Sequence, residues 1–479
     1  MQKAARARWC EQRLVTVLLM PILGWLCPSP AAARPNVVII FADDMGYGDV
    51  ACYDAIDFNT PHIDSIAAHG VKFTAGYVTA SICGPSRAGL LSGRYQQRFG
   101  FETNPTPPWV AWDNYLGLPT AIEILPELLK RAGYTTGVVG KWHLGLRPQF
   151  HPNHRGVDYF WGMQTGMHSY IKTHDFWFNW GNEIQENGKP DDDWSYLTDA
   201  IAARGVEFIQ RHAGEPFFLY LPFNAPHGPT QATADYLARV PLRVREARRA
   251  YAAMIIALDD GVGRILETLR RYDLEKNTLV FFLTDNGVHR AVKSRSSSLN
   301  GGKGCIEDGG VRVPFLVQWP GVIPEGVEYD KLVCSFDLYA TAAAVAGIEP
   351  RQPIDGVNLL PFVVGKNQAS PHNTLYWREF TRAGLRHGKW KLIREAGLPT
   401  ALYDLEKDPG ETENLIAEMP ERTAALEGLW NSFNDEMKPP SFGEPQKSDY
   451  AEQRRLWRNR IDFRSVPPNQ RWERGTAID

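Results

Sequence analysis

Cysteine is scarce in this chain of 479 residues: there are six, and two of them, Cys10 and Cys27, lie in the first 33 positions. Cys52, Cys83, Cys305 and Cys334 remain, too few to staple so long a chain as a disulfide framework, and their connectivity is not readable. If one of the four is withdrawn for chemistry, at least one stays free or pairs between chains. Excess charge is missing as well. The formal net charge is −3, and loss of residues 1–33 deletes four basic groups and one acid, taking it to −6. That mild acidity excludes nucleic acid as a general partner. No internal repeat or low-complexity tract occurs, which excludes a repeat array. Long apolar runs are absent outside the N-terminus. There, Lys3, Arg6, Arg8 and Arg13 precede the largely apolar Leu14 to Leu26, and Ala31-Ala32-Ala33 follows. The run is short for a membrane span. Residues 1–33 are therefore expected to be a signal peptide, and the mature protein to be periplasmic or secreted with no stable membrane span.

Length predicts a large α/β domain with an accessory unit. Fifteen tryptophans fit a sugar-binding surface and core packing equally well. Short runs rich in Val, Ile and Phe read as buried parallel strands, with longer amphipathic stretches between them. How these runs end is the informative part. Asn36 to Phe41 runs into Asp43-Asp44, and Thr135 to Val139 into Gly140-Lys141-Trp142-His143. Pro216 to Leu221 leads to Asn224-Ala225-Pro226-His227, and Asn277 to Leu283 stops at Asp285-Asn286-Gly287. A polar end is ordinary for any one strand-to-loop turn. In an open parallel sheet, however, ligands bind outside the carboxyl ends of the strands, so four such ends are expected to converge on one site.

Leu242 to Arg271, after Pro241, reads as a helix with Tyr251, Met254, Ile255 and Leu258 on its apolar stripe. Arg239, Arg243, Arg245, Arg248 and Arg249 read as a solvated face, and Asp259 and Asp260 as structural. Beyond residue 365 the character changes: Leu385 to Ile393 and Ala401 to Leu405 look like short strands. The expected organisation is a catalytic α/β domain over 34–365, with a large mostly parallel sheet sandwiched by helices. A smaller C-terminal domain of antiparallel sheet plus helix follows over 366–440, and a polar, Arg-rich tail over 441–479.

Asp43, Asp44, Asp285 and Asn286 form an oxygen-donor set without sulfur or imidazole, which favours Ca²⁺ or Mg²⁺ over zinc. Lys141 and Lys303 add positive charge, making a trap for a tetrahedral oxyanion. His143 and His227 can carry protons near neutral pH. These residues describe a metal-assisted hydrolase of a sulfate or phosphate ester; the chemistry alone does not separate the two anions.

The run Cys83-Gly84-Pro85-Ser86-Arg87, completed by Gly93-Arg94, resembles the signature of type I sulfatases, within the alkaline-phosphatase-like superfamily. Five further blocks match that family in order: Asn36 to Asp49, Gly140 to Gly145, Asn224 to Pro229, Thr284 to Gly287, and Gly301 to Pro314. The resemblance implies that a formylglycine-generating maturation enzyme oxidises Cys83. The hydrated aldehyde would attack sulfur through one hydroxyl and release sulfate through the second, an exit that a plain serine lacks. It further implies metal ligation by Asp43, Asp44, Asp285, Asn286 and the modified Cys83. Lys141 and Lys303 would bind sulfate, and Arg87 would support the formylglycine. His227 would protonate the leaving alcohol, and His143 would assist sulfate release. Two departures stand out: Cys305 where Lys-Gly-Thr is usual, and Asp308 in place of Glu before Gly309-Gly310.

The implied substrate is a sulfated carbohydrate, such as a glycosaminoglycan or marine polysaccharide fragment. Residues 146–215 and 370–385 are expected at the pocket rim, with His168, His174, Trp177, Trp180, Trp377 and Arg378 as sugar contacts. Competing readings are a phosphomonoester or phosphonate hydrolase on the same scaffold, and an inactive carbohydrate-binding homologue.

Overall fold

The computed structural model describes residues 34–105, 116–172, 183–289, 298–379, 382–395 and 398–441. The expected signal peptide and the tail from 442 lie outside these residues. Five strands form the centre of a ten-stranded sheet, in the spatial order Thr278–Thr284, Asn36–Ala42, Phe217–Pro222, Thr135–Lys141 and Tyr159–Met163. All neighbours among these five are parallel. Phe315–Gln318 pairs antiparallel with Thr278–Thr284, and short strands complete both flanks.

Period-two alternation divides the central strand between two cores. Val38, Ile40 and Ala42 join the core with helices Leu197–Arg211 and Glu246–Arg271, while Val37, Ile39 and Phe41 join that with Cys83–Ser92, Leu125–Arg131 and Asp337–Ala346. Each fully buried large aliphatic or aromatic residue contributes about 1.5–3 kcal/mol, which is why the Asn36–Ala42 strand can carry no charge until it leaves the sheet. The four strand ends read from the sequence are therefore real and adjacent. Among the described residues no helix is long and apolar enough to cross a membrane.

The long helix begins at Glu246 rather than Leu242, because Pro241 to Val244 forms a turn ahead of it. Its arginines do not all face water. Arg239, Arg243 and Arg245 are exposed, but Arg248 is buried, with Nη2 on Asp49 and Nε on Asp57 at 2.9 Å. Helical spacing explains the correction: Arg248 lies three residues before Tyr251 and seven before Ile255, on the stripe that faces the core. Asp259 is structural as expected, accepting the amides of His62 and Ile63 at the start of helix Pro61–Ala68. Arg248→Ala is expected to destabilise the fold by about 3–5 kcal/mol, because it strands the buried Asp49 carboxylate without its cation. Denaturant unfolding measures this.

The C-terminal sheet is antiparallel, in sequence order Thr374–Glu379, Arg382–His387, Trp390–Glu395 and Ala401–Asp404, with helix Pro420–Asp435 beside it. The run Leu385 to Ile393 is a hairpin rather than one strand. His387 pairs with Trp390 across Gly388, whose φ of +55° suits a residue without Cβ. One face of this sheet, carrying Leu375, Trp377, Ile393 and Tyr403, shares a core with Tyr77, Tyr95 and Val313. The other face, carrying Leu385, Leu392 and Leu402, packs on Leu426 of the helix.

Candidate active site

Register builds the site. Ala42 lies opposite Thr284, so the two residues after each strand meet above the sheet. The Asp285 amide donates to Ala42 O at 3.2 Å, and the Asp44 amide donates to Asp285 Oδ1 at 3.1 Å. Asn286 Nδ2 donates to Asp44 Oδ1 at 2.7 Å, while its buried Oδ1 has no hydrogen-bond partner among the described residues. Lys141, the last residue of its strand, places Nζ 2.5 Å from Asp43 Oδ2. Asp44 and His143 both take left-handed backbone conformations, at φ of 62° and 57°. Such non-glycine residues at strand ends are commonly held in place for function.

Cys83 opens the wholly buried helix Cys83–Ser92, and its Sγ lies 3.4 Å from Asp43 Oδ1. One turn on, Arg87 reaches Asp285 Oδ2 at 2.8 Å, Asp43 Oδ2 at 3.6 Å and the Lys141 carbonyl at 3.0 Å. The remaining groups come from loops. Lys303 Nζ lies 3.0 Å from Asp44 Oδ2 and 2.9 Å from His227 Nε2. His227 Nδ1 faces the Gly228 carbonyl at 2.6 Å. A carbonyl only accepts and an ammonium only donates, so Nδ1 carries the hydrogen and Nε2 presents a lone pair to Lys303.

Three carboxylates (Asp43, Asp44, Asp285) face three cations (Arg87, Lys141, Lys303) in one dry pocket. Burial pushes the Asp43 carboxyl up, but Lys141, His227 and Arg87 outweigh it and hold the pKa down at about 2. Burial likewise opposes ionisation of Asp44, and Lys303 and His227 overcome it. Asp285 is raised by burial and by the charge of Asp43. Burial and the neighbouring lysines hold His143 well below the usual imidazole range, and His227 is lowered by burial and Lys303. Burial raises the Cys83 thiol against the pull of Lys141 and Lys303, so the unmodified side chain is a protonated thiol and a poor nucleophile.

The carboxylates and the Asn286 amide oxygen fit a divalent cation, although the tightest group of donor atoms contains Cys83 and His227 rather than Asp285. Atoms of Asp43, Asp44, Cys83 and His227 all lie within 4.8 Å of one another, and the orphaned Asn286 Oδ1 has the chemistry of a further ligand. With the protein charges balanced, a divalent cation would leave the pocket positive, which favours entry of an anionic ester.

The structure brings nine of the ten predicted site residues into one connected cluster. The tenth, His143, is buried near them, but its Nδ1 has no hydrogen-bond partner among the described residues. The rim expectations need correction. Trp377 is a core residue, its Nε1 donating to Val78 O at 2.8 Å. Arg378 is buried against Glu102, with Nη1 on Asn434 at 2.7 Å. His168 is buried too, with Nδ1 on the Ser169 carbonyl at 2.7 Å. Both strand faces here are covered, so large polar side chains at 377 and 378 turn inward and find partners. His174, Trp177 and Trp180 lie outside the described residues. Asp308 is a buried hub, bonded to Lys391 at 2.8 Å and to the Tyr77 hydroxyl at 2.7 Å. Among the described residues no disulfide joins any of the four cysteines.

Three supporting residues were not apparent from the sequence. Asn104 Oδ1 accepts the Gly84 amide at 2.8 Å, fixing the start of the Cys83 helix. The Tyr251 hydroxyl, read only as part of an apolar stripe, lies 3.2 Å from the Asp44 carbonyl and 2.7 Å from Asp49 Oδ2. Glu379 accepts both the amide and the hydroxyl of Ser81. Periodicity gives the face of Tyr251 but not the partner of its hydroxyl, and no local signal marks the other two.

The family model described as Sulfatase matches residues 35–348, and one described as N-sulphoglucosamine sulphohydrolase, C-terminal, matches residues 302–438. N-acetylgalactosamine-6-sulfatase of Mus musculus is 34% identical over 404 residues, spanning 80% of this chain and 76% of its own length. Arylsulfatase A of Homo sapiens is 32% identical over 446 residues, spanning 82% and 85% respectively. Among solved structures, Ps i-CgsB in complex with k-i-k-neocarrahexaose aligns with a TM-score of 0.81 at 32% identity, covering 90% of this chain and 98% of its own.

Proposed function

Since this chain belongs to the sulfatase family and is a sulfatase, we propose that it removes sulfate from a carbohydrate, using a formylglycine made from Cys83 by a maturation enzyme. One observation carries this reading. The carboxylates at two adjacent strand ends, the Cys83 helix, two lysines and His227 meet in a single buried pocket. The carbohydrate assignment is supported by the relatives, one named for N-acetylgalactosamine 6-sulfate and one solved with a carrageenan-type oligosaccharide.

Asp43, Asp44, Asp285 and Asn286, with the modified residue 83, would hold Ca²⁺ (or Mg²⁺), which supplies positive charge against the sulfate oxygens when bound. The hydrated aldehyde at position 83 supplies one hydroxyl for attack on sulfur and a second through which sulfate is expelled. Lys141 and Lys303 are placed to hold the anionic oxygens of the ester. Arg87 fixes Asp43 and Asp285 from behind, and its bond to the Lys141 carbonyl orients the end of that strand. An alkoxide leaving from a sugar needs a proton at the moment the bond breaks. His227, whose Nε2 lone pair accepts from the Lys303 ammonium in the resting site, would deliver it once that nitrogen has taken up a proton, for which Lys303 is the adjacent source. His143 would assist sulfate release, its imidazole held in the neutral form by burial and the neighbouring cations. Export is part of the proposal. It rests on the basic, apolar and small-residue order of residues 1–33, and a mature N-terminus at Arg34 is its check.

A direct comparison of 4-nitrophenyl sulfate with 4-nitrophenyl phosphate tests the reaction. Sulfate release is expected to dominate, and phosphate release in excess would defeat the assignment. In the same assay, chelation is expected to stop turnover, with Ca²⁺ restoring it and Zn²⁺ failing to do so.

A further inference from the structure

Four residues close a ring behind the pocket. Ser81, two residues ahead of Cys83, donates its amide and its hydroxyl to Glu379 Oε1 at 2.7 and 2.6 Å. The Ser81 carbonyl accepts the Gly304 amide at 2.9 Å. The Gly304 carbonyl in turn accepts Arg382 Nη1. A 2.9 Å charge contact from Arg382 Nη2 to Glu379 Oε2, without hydrogen-bond geometry, completes the circuit. The ring is dry: Ser81 is fully buried, and Glu379 and Arg382 are 2% and 8% exposed.

The placement of the four residues gives the ring its meaning. Glu379 and Arg382 face each other across the first two strands of the C-terminal sheet, on the side turned to the catalytic core. Ser81 lies on the segment that leads into the Cys83 helix. Gly304 follows Lys303 directly, at a φ of +80° that a residue with Cβ would adopt only under strain. The C-terminal hairpin therefore grips both walls of the pocket through their backbones, one wall carrying Cys83 and the other carrying Lys303 with His227. The bonds from Ser81 to Glu379 and from Arg382 to the Gly304 carbonyl are charge-assisted, directional and away from water, and the strand pairing of Glu379 with Arg382 ties them together, so they fix the distance between what they hold.

We propose that Glu379 and Arg382 are positioning residues that set the separation between residue 83 and the Lys303–His227 pair. The proposal rests on the sulfatase reading of the pocket. In-line displacement at sulfur puts the attacking oxygen and the leaving oxygen on opposite sides, so this separation governs whether the proton donor reaches the leaving oxygen. Neither residue touches the reacting atoms, and a displacement near 1 Å costs about 10²-fold in rate.

The test uses Arg382→Ala, which opens the ring at Gly304, and Glu379→Gln, which keeps an oxygen for Ser81 but discards the ion pair. Each is assayed with 4-nitrophenyl sulfate, whose acidic phenol leaves without help, and with phenyl sulfate, whose phenol needs a proton. In Arg382→Ala, kcat for phenyl sulfate is expected to fall about 10–100-fold and kcat for the nitrophenyl ester about threefold or less, with KM near wild type. Glu379→Gln is expected to show the same asymmetry in milder form, so it carries the test if Arg382→Ala fails to fold. Peptide mass spectrometry across residue 83 normalises each kcat to its formylglycine content. Equal losses on both esters, or no loss in folded variants, would overturn the proposal. Wild-type protein that releases sulfate from neither ester would defeat the reading of the pocket itself, a separate result.

Discussion

Cys83→Ala is expected to lower turnover of 4-nitrophenyl sulfate on the order of 10⁴-fold or more, while the protein stays folded. The expected loss is large because no other group in the pocket can replace the nucleophile. Asp43, Asp44 and Asp285 are committed to cations and to one another. Lys303 and His227 are hydrogen-bonded together. Stability should change little, because the one hydrogen bond described for the sulfur is long, 3.4 Å to Asp43, and alanine favours the first turn of a helix at least as well. Cys83→Ser sharpens the test. A serine hydroxyl can attack sulfur once, but it has no second hydroxyl through which sulfate can leave. That variant is expected to release at most one equivalent of nitrophenol, where the alanine variant releases none. In the active enzyme, the peptide spanning residue 83 should be lighter by about 18 Da than its cysteine form, the mass change of conversion to the aldehyde. Near-full activity in Cys83→Ala would end the nucleophile assignment.

The parts of this site legible in the sequence are those set by local pattern. Apolar runs end where charge begins, and in a parallel sheet that change of composition falls at the edge where ligands bind. Asp43, Lys141, His227 and Asp285 could therefore be grouped although Asp43 and Asp285 lie 242 positions apart. Contacts that join two distant segments through side chains were not legible. Arg248 sits in a basic stretch that looks solvated, and only its phase on the helix turns it onto Asp49. Trp377 and Arg378 look like sugar contacts because aromatic and guanidinium groups serve that role on surfaces. The C-terminal sheet instead buries that strand against Val78 and Glu102. Glu379 and Ser81 are 298 residues apart, and nothing in either neighbourhood announces the other. Pattern thus located the chemistry at the strand ends, while the groups that hold it in register emerged only from packing.

His227→Ala is expected to separate substrates by their leaving groups. The wild-type geometry gives His227 a defined tautomer, with Nδ1–H spent on the Gly228 carbonyl and Nε2 turned to the Lys303 ammonium. A proton bound for a leaving oxygen must pass through that side of the ring, because the other nitrogen is occupied by the backbone. Removing the imidazole deprives a departing sugar alkoxide of its acid, and a positioned general acid is worth about 10²–10⁴-fold. The nitrophenolate ion is stable enough to leave unaided, so 4-nitrophenyl sulfate should lose far less, within about tenfold. Lys303 remains beside Asp44 in the variant, which keeps the sulfate-binding charge in place and predicts little change in KM. The measurement is kcat for a sulfated oligosaccharide substrate against kcat for the nitrophenyl ester in the same preparation. A uniform loss on both would mean that His227 serves sulfate binding rather than proton delivery. Loss confined to the carbohydrate ester would show that the proton passes through Nε2, from the Lys303 side, and identify the Lys303–His227 pair as the leaving-group side of the pocket.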